Sequence, residues 1–338
     1  MYSILKKALF TLDPETSHDL SLDLLGASER LGLISLFSPK IPSDPVSILG
    51  LTFDNPVGLA AGLDKNGDYY NALGQFGFGF VEIGTITPKP QAGNAKPRMF
   101  RLESEQAIIN RMGFNNKGVK YLVERVKKRR YKGVLGINIG KNKATSDKDA
   151  LLDYQLAMTA VYPYADYITV NISSPNTPGL RSLQFGDNLK QLLQGLKTTQ
   201  QNLALEHQCY KPILVKIAPD MIEAELKSVA ETLVAYAIDG VIATNTTLDR
   251  ALVANSAHVA EMGGLSGAPL TDAATQIIAQ LRSHVGRLPI IGVGGIMQGS
   301  DAIAKIQAGA DLVQIYSGFI YQGPELVVDA RRSILEAR

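Results

Sequence analysis

The sequence predicts an α/β protein: a (β/α)8 barrel of the TIM type with a small N-terminal helical extension. Eight short runs carry the prediction, at residues 56–60, 79–83, 134–139, 167–172, 213–217, 241–244, 289–293 and 312–315. They are rich in Val and Ile and apolar throughout, as strands covered on both faces are. Helical periodicity lies between most of them, at 187–203, 222–236, 273–285 and 300–308, and Gly often closes the helix, as in Ala308-Gly309-Ala310. A doubly wound sheet would want a Gly-rich fingerprint after its first strand, and Gly62-Leu63-Asp64-Lys65-Asn66-Gly67 does not fit one. The length of 338 residues allows two domains or one large barrel, since such barrels often run to about 250 residues.

In chain order, residues 1–40 form a first, helical unit and residues 41–338 the barrel. Asp13-Pro14-Glu15 starts a helix, with Asp as N-cap, Pro at the first helical position and Glu in the first turn. Leu20, Leu24 and Leu25 follow at helical spacing. Leu31, Leu33, Ile34, Leu36 and Phe37 make a second short apolar patch before Pro39. Two short helices here carry more apolar surface than their length needs. They either pack on the body or offer that surface to a lipid or lipid-like ligand. Residues 41–54 read as a linker with a short hairpin. A long gap separates the second and third barrel strands. It holds the loop Thr87-Pro88-Lys89-Pro90 and two strand-like runs, 98–102 and 107–112. An excursion of that size lies over the barrel top, where active sites are built.

Composition excludes several classes. Net charge is +2, which argues against nucleic acid as the main partner. The one basic run, 125–132, follows the helical pattern 119–126 and complements its C-terminal dipole. Cys209 is the single cysteine, so a disulfide framework, a thiolate zinc site and a Cys-ligated iron–sulfur cluster are excluded within the chain. Four scattered histidines disfavour a His-rich metal site, and no metal is expected. No apolar run approaches the ~18 residues of a spanning helix, and no signal-peptide pattern is present. A cytoplasmic location is expected, with membrane-surface contact open.

The strand ends carry the chemistry. They are Ala60-Ala61-Gly62-Leu63-Asp64-Lys65, Gly84-Thr85, Asn138-Ile139-Gly140-Lys141, Asn171-Ile172-Ser173-Ser174-Pro175-Asn176, Lys216, Thr244-Asn245-Thr246-Thr247, Gly294-Gly295 and Tyr316-Ser317-Gly318. Gly263-Gly264-Leu265-Ser266-Gly267 precedes the seventh strand. Any one of these is a turn; together they are a site. Glycines after strands seven and eight let backbone N–H groups approach a phosphate. A buried Lys216 needs an anionic partner, either a ligand or an acid from another strand. Lys65 has Asp64 beside it, so a salt bridge competes with a ligand there. No carboxylate pair or His dyad faces the mouth, which disfavours glycosidase and Ser-His-Asp chemistry.

These motifs resemble the dihydroorotate dehydrogenases over nearly the whole chain. The match rests on residues 60–65, Asn-Arg-Met-Gly-Phe-Asn-Asn (110–116), Gly-Ile-Asn-Ile-Gly-Lys-Asn (136–142) and Asn-Ile-Ser-Ser-Pro-Asn-Thr-Pro-Gly-Leu-Arg (171–181). Val-Lys-Ile-Ala-Pro-Asp (215–220), Asn-Thr-Thr (245–247), residues 263–267, Gly-Val-Gly-Gly-Ile (292–296) and Gln-Ile-Tyr-Ser-Gly (314–318) complete it. The resemblance implies an FMN enzyme of pyrimidine biosynthesis that oxidises dihydroorotate to orotate. The N-terminal unit, and Ser174 where the cytosolic classes carry Cys, imply class 2, which reduces a membrane quinone. Peripheral attachment at the cytoplasmic side of the inner membrane follows, with a monomer favoured. By resemblance FMN is held by Ala61, Gly62, Lys65, Thr85, Asn138, Asn171, Lys216, Thr244, Gly267, Gly295, Tyr316 and Ser317. The substrate sits among Lys65, Asn110, Arg111, Met112, Gly113, Phe114, Asn171, Asn176, Asn245 and Thr246. Ser174 is the base that takes the C5 proton while hydride leaves C6, and Thr177 or a trapped water relays the proton. His18 and Arg101 lie near the polar end of the quinone site.

Two other readings compete. One is a flavin-free barrel lyase that uses Lys65 or Lys216 as a Schiff base. The other is a non-catalytic membrane-surface protein with the barrel as scaffold, against which the density of polar strand ends argues.

Overall fold

The computed structural model describes residues 2–34 and 43–337. Its strands are β1 (Val46–Ile48), β2 (Leu51–Phe53), β3 (Val57–Leu59), β4 (Phe80–Ile86), β5 (Met99–Leu102), β6 (Ala107–Asn110) and β7 (Val134–Ile139). β8 (Tyr167–Asn171), β9 (Ile213–Ile217), β10 (Gly240–Ala243), β11 (Gly264–Gly267), β12 (Ile290–Val293) and β13 (Leu312–Ile315) follow. The helices are α1 (Tyr2–Phe10), α2 (Pro14–Arg30), α3 (Tyr70–Leu73), α4 (Val119–Val126), α5 (Ala150–Val161) and α6 (Gly186–Glu206), then α7 (Glu223–Ala235), α8 (Thr271–Val285), α9 (Gly299–Gln307), α10 (Ser317–Gln322) and α11 (Glu325–Glu336).

β3, β4, β7, β8, β9, β10, β12 and β13 pair in that order, all parallel, and β13 closes on β3. This is a TIM barrel, and its strands are the eight apolar runs of the sequence. Their outward residues pack under the helices, as Ile137, Ile168, Val215 and Val241 do in the main core. Alternate residues point inward. The lowest inward layer includes Phe80, Tyr167, Leu214, Ile242 and Ile291. The expected hairpin, β1–β2, plugs that end: Phe53 is buried against Phe80, edge to face, with ring centres 5.1 Å apart. Two residues further up the strands the inward side chains turn polar: Glu82, Thr169, Lys216 and Gln314. That layer is the floor of the site.

The excursion between β4 and β7 forms β5 and β6. β11 joins them as an antiparallel strand, with Gly264 opposite Asn110. Residues 263–267 are therefore part of the sheet over the barrel mouth, not a plain approach to the seventh strand. The N-terminal unit differs from expectation in one helix. α2 begins as predicted, with the Asp13 carboxylate accepting the N–H groups of Glu15 and Thr16. The second helix is α1, ahead of it. The patch after α2 supplies instead its C-cap, Leu31, and the buried Ile34; Leu36 and Phe37 lie outside the described residues. α1 buries no residue fully, so its apolar pattern was too short and one-sided to stand out. Glu15 and Arg98, both buried, tie α2 to the excursion through a pair at 2.7 Å. Arg101 donates to the carbonyls of Phe10 and Leu12 and fixes the α1–α2 corner.

Candidate active site

The barrel mouth opens into a cleft of about 1010 Å³, its open top included. Ala61, Gly62, Lys65, Thr85, Asn171, Lys216, Thr244, Gly267, Gly295, Tyr316 and Ser317 line it. So do Ser174, Asn110, Met112, Gly113, Phe114, Asn176, Asn245 and Thr246. Two expected residues do not line it. Asn138 lies behind the wall, where it accepts from Thr85 at 2.6 Å and donates to Glu82 at 2.8 Å. The Arg111 side chain pairs with Glu261 at 2.5 Å and lies over the Phe100 ring.

One end of the cleft is lined by glycine-rich turns. Gly294 and Gly295 both have positive φ, and a Cβ on Gly295 would come within 2.3 Å of the Thr271 backbone nitrogen. Only glycine lets the β12 turn lie this close to the start of α8. Thr271 Oγ1 donates to the Gly295 carbonyl at 2.7 Å. Ser317, at the start of α10, donates to the Ser266 hydroxyl at 2.8 Å. Ser266 lines the cleft and was not singled out from the sequence; its place on β11, across from β6, is a long-range fact.

Toward the barrel axis the lining becomes a chain of amides and hydroxyls. Asn171 donates to Thr85 at 3.0 Å, and Thr85 donates to Asn138. The chain ends on Glu82, which also accepts from Tyr167 and Gln314 at 2.9 Å each. Gln314 lines the cleft, and its buried Oε1 has no partner. Burial lowers the pKa of the Lys216 ammonium, and the charge of Glu82 offsets part of that effect. An acid from another strand, Glu82, thus acts on Lys216, and nothing local marks it because β4 and β9 face each other only once the barrel closes. Lys65 makes no salt bridge with Asp64, whose carboxylate accepts the N–H groups of Asp68 and Tyr69. Burial pushes the Lys65 ammonium down to about 8, partly offset by Asp19 and Glu15 on α2.

Above this layer the β8 loop meets the β10 loop. Ser173 is fully buried; its hydroxyl donates to Asn171 Oδ1 at 3.2 Å and accepts from Asn245 Nδ2 at 3.0 Å. Ser174 faces the cleft, and its Oγ accepts the Asn176 N–H at 3.2 Å. Asn176 donates to Asn110 at 3.3 Å across the mouth. Arg181 holds the two loops together, donating to the carbonyls of Ser173 and Thr246 and pairing with Asp220. The Thr177 hydroxyl is buried without a partner.

A second cavity, about 1800 Å³ with its mouth, lies between α1, α2 and the barrel. Its lining is mostly apolar, including Leu5, Leu9, Leu22, Leu25, Ile34 and Leu63, with His18 and Arg101 among the few polar groups. Leu63 faces this cavity while Gly62 and Lys65 face the first, so one short loop borders both. Burial, reinforced by the Lys65 ammonium, pushes His18 down to about 3, so its imidazole is neutral near pH 7. Among the described residues no helix is long and apolar enough to cross a membrane.

Fold and cleft together define an enzyme of the TIM-barrel class, with its polar groups gathered at the C-terminal strand ends. The family model described as dihydroorotate dehydrogenase matches residues 45–337, and the chain belongs to that family. It is 62% identical over 338 residues to the dihydroorotate dehydrogenase (quinone) of Saccharophagus degradans, covering all of both chains. It is 61% identical to the enzyme of the same name from Teredinibacter turnerae, covering 99% of each. The crystal structure of the Eimeria tenella family member in complex with ferulenol superposes with a TM-score of 0.86 at 37% identity, covering 96% of this chain and 91% of that one.

Proposed function

We propose that the protein oxidises dihydroorotate to orotate in pyrimidine biosynthesis, with FMN as the hydride acceptor and a membrane quinone as the terminal acceptor. The observation that carries this reading is the junction of three features in one cleft. They are a glycine-lined anion turn at Gly295, two lysines, Lys216 buried and Lys65 half-buried, and four asparagines around Ser174. The family and the names of its relatives support the same activity.

The residues present fit a flavin. The Gly295 turn brings glycine backbone to the cleft wall beside the start of α8, which suits a phosphate, and the orphaned Gln314 Oε1 offers an acceptor on the floor. Gly267, Gly295 and Ser317 would hold the phosphate. Ala61, Gly62, Thr85, Asn171, Lys216, Thr244 and Tyr316 would surround the rest, with Asn138 acting through Thr85. Bound FMN supplies a two-electron acceptor. Lys216 supplies positive charge where reduction would accumulate negative charge.

Dihydroorotate is a flat amide ring with a carboxylate. Lys65 suits the carboxylate, and Asn110, Asn171, Asn176 and Asn245 suit the amide edges, each offering a donor and an acceptor. Ser174 takes the C5 proton. A hydroxyl is a weak base at its free pKa, and the unpartnered Thr177 hydroxyl nearby in the chain supports a relay to it.

Residues 1–40 form the quinone module in this reading. The second cavity suits an apolar tail, with neutral His18 and Arg101 beside a polar head. Exposed Ile4, Leu5, Leu20, Leu24 and Leu31 suit peripheral contact with the cytoplasmic face of the inner membrane, and a monomer leaves them free to make it. The test is turnover: purified protein should convert dihydroorotate to orotate with stoichiometric quinone reduction. Orotate formation that proceeds without quinone consumption, or no turnover by flavin-loaded protein, would overturn the reading. Borohydride trapping of substrate on Lys65 or Lys216 would favour the Schiff-base lyase.

A further inference from the structure

Lys305, on α9, has no exposed surface and plays no part in the account above. Its Nζ donates to the Thr275 hydroxyl at 3.0 Å and to the Thr271 carbonyl at 3.3 Å, both at the start of α8. Thr271 is also the residue that seats the Gly295 turn, through its hydroxyl on the Gly295 carbonyl and its backbone nitrogen, which lies where a Gly295 Cβ would be. The ammonium is thus joined to the turn through a single residue. Among the described residues no carboxylate forms an ion pair with it. Asp301 attracts it from a distance while capping its own helix through the N–H groups of Met297 and Gln298, and Asp272 attracts it more weakly still.

Such a placement is unfavourable twice over. A buried ammonium with only neutral acceptors loses hydration that they do not fully replace. A cation behind the α8 N-terminus also opposes that helix's dipole, although Lys305 stands in the last turn of α9, whose C-terminal end favours it. An apolar residue of the same volume would avoid both penalties. An anion on the other side of the same helix end would offset both costs, because it meets the dipole and the ammonium together. Burial pushes the Lys305 pKa down to about 8, so it still carries its charge at neutral pH, and an anion in front would hold it there more firmly.

We propose that Lys305 is a positioning residue for phosphate recognition, whose charge behind α8 makes the cleft select a phosphorylated flavin over the unphosphorylated one. This rests on the FMN reading above. It extends that reading to a residue that touches neither the cleft nor its contents.

The test compares FMN with riboflavin on the full-length chain stripped of flavin, following the quenching of flavin fluorescence on binding. Wild type should bind FMN more tightly than riboflavin; if it binds both equally, the phosphate reading itself fails. Given that preference, Lys305→Met should weaken FMN binding about tenfold or more, the scale of one unit charge acting through a partly polar interior. Riboflavin binding should change by less than about threefold. Lys305→Gln keeps length and polarity without charge and should give the same split, while Lys305→Arg should restore most of the FMN preference. Equal losses for both flavins, or no loss for either, would make Lys305 a packing strut and overturn the proposal. So would failure of both neutral variants to fold whether or not FMN is present.

Discussion

Replacing Ser174 and Ser173 in turn separates catalysis from binding at adjacent positions. Ser174 Oγ faces the cleft and has one protein contact, accepting the Asn176 N–H at 3.2 Å. Losing that bond costs about 1 kcal/mol, and the N–H is close enough to the mouth to find water. Ser174→Ala should therefore leave orotate affinity within a few-fold of wild type. The rate at which dihydroorotate reduces the flavin should fall about 10²-fold or more, the scale of a lost general base. Ser173 is different because its hydroxyl joins two cleft-lining amides, Asn171 and Asn245. Without it, Asn245 Nδ2 keeps only the longer contact to Asn171 Oδ1 at 3.4 Å. One or two bonds of about 1 kcal/mol each correspond to roughly five- to thirtyfold weaker orotate binding. The loss in reduction rate at saturating substrate should be smaller than that of Ser174→Ala. Anaerobic stopped-flow reduction gives the rate, and the orotate-induced change in the flavin spectrum gives the affinity. Equal rate losses in both variants, or a larger one in Ser173→Ala, would mean that the base is not Ser174.

Lys216→Ala should release flavin, read as a lower flavin-to-protein ratio after gel filtration, because it removes the cation on the cleft floor. Orotate binding should be flat below about pH 8 and weaken above it, because Lys65 must be charged to hold a carboxylate and burial pushes its pKa down to about 8. The sign follows from linkage: the bound anion favours the protonated form, so affinity is full below that pKa and is lost as pH rises through it, and the bound complex titrates higher. Affinity that instead rises above pH 8 would remove Lys65 from the substrate site. Glu15→Ala leaves Arg98 buried with only carbonyl partners, a loss of about 3 kcal/mol or more. The protein should melt several degrees lower, and quinone reduction should fall more than flavin reduction. Deleting residues 1–40 should carry that further: a single turnover still bleaches the flavin, while reduction of long-tailed quinone and liposome binding fall sharply. A folded, flavin-loaded truncation with full quinone turnover would leave the module a packing element only.

The barrel was legible because each of its strands is covered on both faces, so a local property, unbroken apolarity, marks it. β7, β9 and β13 begin and end where the sequence puts them. The strand-end residues were legible for a related reason: polar side chains straight after a buried strand have few structural uses. What escaped depends on partners far along the chain. Glu82 reads as a stray acid in an apolar run. It becomes the anchor of a network only when barrel closure brings Tyr167 and Gln314 to it. β11 is glycine-rich and lacks β-branched residues, so nothing local marked it as the partner of β6. Asn138 sits in a motif beside the cleft, yet β7 turns it behind Thr85. Arg111 sits between lining residues Asn110 and Met112, and Glu261, far along the chain, draws it aside.

The central claim is that one cleft takes hydride from dihydroorotate onto a bound flavin and that a quinone then removes the electrons. Anaerobic titration of the purified protein, followed by its visible spectrum, tests this most directly. About one equivalent of dihydroorotate per flavin should bleach the flavin and yield orotate, and a quinone added afterwards should restore the oxidised spectrum. A flavin that stays oxidised with dihydroorotate in excess, or a bleached flavin that quinone leaves reduced, would contradict it.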